Sequence, residues 1–159
     1  MNFIVWRALR DGLPTDARVV KMGITIKTTC CCRISTFEST DHLFCRGNYA
    51  LDVWKVICGT FGIPSKDILL RQLLINWWRQ NTSNPVYSII VKYLPALTIW
   101  EIWKSRCETK YGSQKINVNK SISQIAVNIS QLVNHFLGSN KMKASWEEVL
   151  KIISSNVYF

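Results

Sequence analysis

A chain of 159 residues with 48% hydrophobic content can bury one sizeable core or two small ones, which excludes a disordered polypeptide. Twenty Lys and Arg against ten Asp and Glu give a formal charge of +10, a balance that suits an anionic partner, and nucleic acid is the commonest one for a basic chain with aromatics. Six unevenly spaced Cys, three of them consecutive, exclude a regular disulfide framework and imply a reducing compartment.

The first element is a short helix over Phe3 to Leu9, broken at Gly12-Leu13-Pro14. Thr15 then caps a second helix that runs through Met22 and stops at Gly23, with Ala17, Val20 and Met22 inward and Arg18 and Lys21 outward. Ile24-x-Ile26 reads as a short strand. Ala50, Leu51, Val53, Trp54, Ile57 and Cys58 recur at helical spacing up to Gly59 and form a third helix. Ser65 is placed to cap a helix carrying Ile68, Leu69, Leu73, Ile75 and Trp77, and Asn81 to Pro85 is a loop by composition. Val86 to Leu94 makes the next helix, with Pro95 opening another that reaches Lys110 and stops at Gly112. Trp77, Trp78, Trp100 and Trp103 suit either a core or a base-stacking platform, and the spacing of the last two beside Ile99 and Ile102 favours the core.

In the last third, Ile122, Ile125, Ile129, Leu132, Val133 and Phe136 define an amphipathic helix over 121–137, with Asn128, Ser130, Gln131 and His135 on its polar side and Gly138 at its end. Ser145-Trp146-Glu147-Glu148 is a capping box that starts a final helix carrying Val149, Leu150, Ile152 and Ile153. The expected fold is mainly α, with a small Cys/His zinc-knuckle-like loop region packed among short helices. Three segments follow: 1–62, 63–112 and 113–159.

The chemistry concentrates in Cys30-Cys31-Cys32 and, after nine intervening residues, His42-Leu43-Phe44-Cys45. Thiolate and imidazole hold structural Zn²⁺ tetrahedrally, commonly as two ligand pairs separated by a loop. Cys30, Cys32, His42 and Cys45 are the candidate ligands, with Cys31 an alternative to either neighbour; the competing reading is that these are apolar thiols with no metal.

The surrounding motifs are Phe3 to Leu9, Gly12-Leu13-Pro14-Thr15, Met22-Gly23-Ile24, the cysteines, Glu38-x-x-x-His42-Leu43-Phe44 and Val53-Trp54. In that order they resemble the reverse-transcriptase zinc-binding region of plant LINE-type non-LTR retrotransposons. Trp77-Trp78, the run from Leu94 to Arg106, and Tyr111-Gly112 are similar to the segment that follows it in such polyproteins. Laid on the family pattern, Cys32 and His42 occupy ligand positions, whereas Thr29 and Gly47 stand where the pattern has Cys.

The resemblance implies a zinc-binding, sequence-nonspecific RNA- or DNA-binding fragment. Reverse transcriptase and ribonuclease H use clustered carboxylates, and this sequence has no Tyr-x-Asp-Asp and scattered acids, so no enzymatic activity is expected. Arg7, Arg10, Arg18, Lys21, Lys27, Arg33 and Arg46 are the candidate phosphate contacts. The alternatives are a helical protein-interaction module that docks a partner through helix 121–137, and a decayed remnant with neither metal nor selected function. No membrane association is expected, because Lys92, Pro95 and Glu101 interrupt the most apolar run short of the ~20 residues a span requires. The apolar run at the N-terminus is too short for a signal peptide, so the chain is expected inside the cell, in nucleus or cytoplasm, and not secreted.

Overall fold

The computed structural model describes residues 3–26, 38–80, 82–138 and 145–156, with the backbone alone for 152–156. Helix makes up 73% of it and no strand occurs among the described residues, so the chain is mainly α. The elements are α1 (Phe3–Leu9), α2 (Asp16–Lys21), a π-helical turn (His42–Arg46), α3 (Asn48–Thr60), α4 (Leu70–Trp78), α5 (Pro85–Tyr111), α6 (Val118–Leu137) and α7 (Trp146–Asn156). The segment expected to be a strand, Ile24 to Ile26, has no regular structure, and Ile24 is exposed.

The spine is α5, 27 residues in one helix with Pro95 inside it, where the sequence suggested two helices meeting at that proline. Pro95 has no N–H to donate to the Val91 carbonyl, a defect of ~3 kcal/mol in a helix interior. Ile90, Val91, Leu94, Ala96, Ile99 and Ile102 are all buried on either side of it, and each such side chain contributes ~1.5–3 kcal/mol, enough to hold the helix through the break. The Thr98 hydroxyl donates to the Leu94 carbonyl at 2.8 Å within the same stretch. At the start, the Asn84 side chain accepts from the amides of Val86 and Tyr87, and Pro85 occupies the first turn, where a missing donor costs nothing.

Around this spine pack α1, α4, α6, α7 and the π-helical turn, while α3 bridges the turn and α6. One cluster of buried apolar side chains draws on all of them, from Ile4 to Val149. The face of α6 anticipated for a partner is spent inside the chain: Ile122, Ile125, Ile129 and Val133 are buried, leaving Phe136 and Leu137 exposed. Ser130, expected on the polar side, is buried too and donates to the Ala126 carbonyl at 2.7 Å.

Two helix starts show how caps are chosen. α4 begins at Leu70 rather than at Ser65, because Asp67 adopts a left-handed φ of 57° that a right-handed helix cannot contain. Its first amide is instead satisfied from a distance, with Asp41 Oδ1 accepting from Leu70 N at 2.9 Å. At α7 the expected cap is present, Ser145 Oγ accepting from Glu148 N at 3.3 Å.

In α2 Arg18 and Lys21 face outward as expected and Ala17 is half-buried, but the rest of the anticipated inner side is not. Thr15 caps it as expected, but Asp16 is the buried member, while Val20 and Met22 are exposed. The reason is a charge partner on α5, described next. Among the four tryptophans, Trp77 is in the core, Trp103 is partly buried, and Trp78 and Trp100 are exposed.

Candidate metal centre and nucleic-acid interface

The π-helical turn carries both described candidate ligands. Ser39 starts it, its hydroxyl accepting from His42 N at 3.1 Å, and Gly47 N closes it by donating to the His42 carbonyl at 2.6 Å. The wider turn sends three consecutive side chains, Leu43, Phe44 and Cys45, into the core and leaves His42 at its boundary and Arg46 exposed. Helical turns of this kind are rare and are frequently found at functional sites. Trp54 holds it in place by donating its indole N–H to the Phe44 carbonyl at 2.7 Å, and the Phe44 ring lies 6.5 Å from that of Trp103.

Cys45 is therefore placed as a core thiol. Burial pushes its pKa up to about 12, with Asp41 and Cys58 adding to the rise. Zinc binds thiolate and displaces the thiol proton as it binds, so this raised pKa belongs to the metal-free chain. As placed, Cys45 lies inside the core and His42 at its boundary. Among the described residues no group of three or more His, Cys, Asp or Glu side chains is arranged to hold a metal ion. Cys30 and Cys32, with the alternative Cys31, lie outside the described residues. So do Lys27 and Arg33.

Of the other basic candidates, Arg10 just after α1, Arg18 and Lys21 on α2, and Arg46 are exposed. Arg7 is otherwise engaged, donating from Nε and Nη2 to the Gly12 carbonyl at 3.0 and 2.6 Å, which ties down the end of α1.

The densest electrostatic arrangement is one that sequence patterns gave no sign of. Arg106 of α5 is buried and donates to both oxygens of Glu38, at 2.6 to 3.2 Å, and to Asp16 Oδ1 at 3.2 Å. Lys110 adds a second ion pair to the same Asp16 oxygen. Burial acts to lower the Arg106 pKa, but the hydrogen bonds and charge of Glu38, with help from Tyr111, hold it above its ordinary value. Glu38 also accepts from Asp16 N, and its carbonyl accepts from Ala17 N, so one carboxylate joins α2, the stretch before the π-helical turn, and α5. Nothing local links these residues. Glu38 is legible only as part of the Glu-x-x-x-His motif and Arg106 only as the end of an aromatic run.

Residues 1–54 match the family described as zinc-binding in reverse transcriptase. No curated protein and no solved structure matches the chain. The zinc-binding match thus covers the first third of the sequence, ending at Trp54 inside α3. It contains the cysteine run, His42, Cys45 and both acids of the buried cluster. Arg106, which neutralises those acids, lies outside it, so the matched segment is completed by a helix from beyond its own boundary. Among the described residues no helix is long and apolar enough to cross a membrane.

Proposed function

We propose that this chain is a non-catalytic, nucleic-acid-binding module related to the zinc-binding region of a plant LINE-type reverse transcriptase polyprotein, acting on RNA or DNA without sequence preference in the nucleus or cytoplasm. The observation that supports it most is the match over residues 1–54, on a segment whose Arg10, Arg18, Lys21 and Arg46 all reach solvent in a chain of formal charge +10. In this reading zinc is held by Cys30, Cys32 and His42, and Cys45 joins them only by leaving the core. Fluorescence anisotropy with labelled oligonucleotides across a salt series, alongside elemental analysis of the purified protein, tests it. Steeply salt-dependent binding and one zinc per chain are expected; absence of binding at low salt overturns the nucleic-acid reading. The burial of Cys45, together with Thr29 and Gly47 at family ligand positions, favours a second reading, a metal-free helical remnant. Protein with no zinc and an unchanged melting temperature in chelator is the outcome that selects it.

A further inference from the structure

We propose that the outward stripe made by Phe3 and Trp6 of α1, with Arg10 from the turn that follows, is a stacking platform for the unpaired bases of a single-stranded nucleic acid. This rests on the nucleic-acid reading above and adds to it the surface used and the strand state bound.

α1 buries Ile4, Val5 and Ala8 and packs on α5. Residues three and four apart share a helix face, so Phe3, Trp6 and Arg7 line up on the side away from that core, and Arg10, in the turn that closes α1, reaches back to Trp6. Phe3 is 68% and Trp6 41% exposed. The two rings are close to parallel, 20° between planes and 6.0 Å between centroids. The Arg10 guanidinium lies over the Trp6 ring at 5.2 Å and that of Arg7 over Phe3 at 5.7 Å. Arg7 is fixed to the Gly12 carbonyl, so it stiffens the stripe, while exposed Arg10 remains at its solvent end. No acidic residue interrupts α1.

Flat rings bearing cations match the two surfaces of a single strand, since every base has a π-face and every nucleotide carries a phosphate. A duplex keeps its base faces inside the stack and offers only the phosphate. A protein's apolar face would cover the rings but bury the Arg10 charge without a counter-ion. The unpaired strand is the occupant that uses both features.

The test is anisotropy of a labelled single-stranded oligothymidylate and of a duplex of equal length, with wild-type protein, Phe3→Ala/Trp6→Ala, Trp6→Phe and Arg10→Ala. Both rings face outward, and unchanged melting temperatures verify the fold. Should the double variant melt early, Trp6→Leu replaces it, keeping apolar bulk without a stacking ring. The wild type is expected to prefer the single strand. The double variant should bind it about tenfold or more weakly with the same salt slope, Trp6→Phe should retain most of the affinity, and Arg10→Ala should lower the slope by about one. Equal affinity for single strand and duplex, an unaltered affinity in the double variant, or a change only in self-association overturns the platform and leaves the broader reading standing. Failure of the wild type to bind either probe overturns both.

Discussion

Arg106 and Glu38 form a bidentate ion pair across 68 residues of sequence, with both groups buried. The pair fastens the segment that precedes the π-helical turn to the middle of the molecule. Asp16 and Lys110 extend the cluster to two cations and two anions. Asp16 Oδ2 and Arg106 Nη1 are buried with no hydrogen-bond partner among the described residues. Breaking such a pair from one side leaves an uncompensated buried charge, whereas replacing the whole group by apolar residues can be neutral. Arg106→Met is therefore expected to cost ~3–5 kcal/mol in chemical denaturation, and adding Glu38→Gln and Asp16→Asn to recover part of the loss. A loss below ~1 kcal/mol for the single variant would show that these charges stay hydrated.

Asp41 caps α4 from outside the helix, through Leu70 N. Asp41→Ala should cost ~1 kcal/mol, the usual worth of an N-cap, and should speed hydrogen exchange in the first turn of α4 while leaving α6 unaffected. Uniform acceleration across the molecule would mean that the bond supports the whole fold and not one helix end.

Ile129 is fully buried on the face of α6 that packs in the chain. A carboxylate placed there has no partner and cannot reach water, so Ile129→Glu is expected to cost more than ~4 kcal/mol and to abolish a cooperative melt by circular dichroism. A variant that kept its melting temperature and lost only self-association would restore this face to a partner.

Cys58 is a buried thiol on α3 whose pKa burial pushes from 9.0 to about 11, against small opposing effects of Trp77 and Ser65. A thiol raised in the folded state favours folding fully below the unfolded value. Once the unfolded chain ionises first, that stability declines as pH climbs from 9.0 toward about 11. Stability measured over this window should fall less steeply in Cys58→Ala than in the wild type. Parallel curves would show that the thiol ionises equally in both states. In native protein, iodoacetamide should modify half-exposed Cys107 and spare Cys45 and Cys58, which are the buried thiols among the described residues.

The sequence by itself determined the features that depend on near neighbours. The limits of α1, the Thr15 cap, α3, the amphipathic period and Gly138 stop of α6, and the Ser145 cap of α7 all follow from spacing and side-chain-to-backbone hydrogen bonds within one or two turns. The order of short motifs around the cysteines likewise sufficed to mark the zinc-binding resemblance carried by residues 1–54. Tertiary structure decided the rest. Pro95 sits inside a continuous helix because side chains from several elements bury both of its flanks. Asp16 turns inward because Arg106 and Lys110 wait on α5. Asp41 supplies a cap that Ser65 was positioned to give, and Cys45 becomes a core thiol because the π-helical turn directs three successive residues inward. For Pro95, Asp16 and the α4 cap the local preference was outweighed by partners tens of residues away, since burial and charge pairing depend on distances in space that a sequence does not contain.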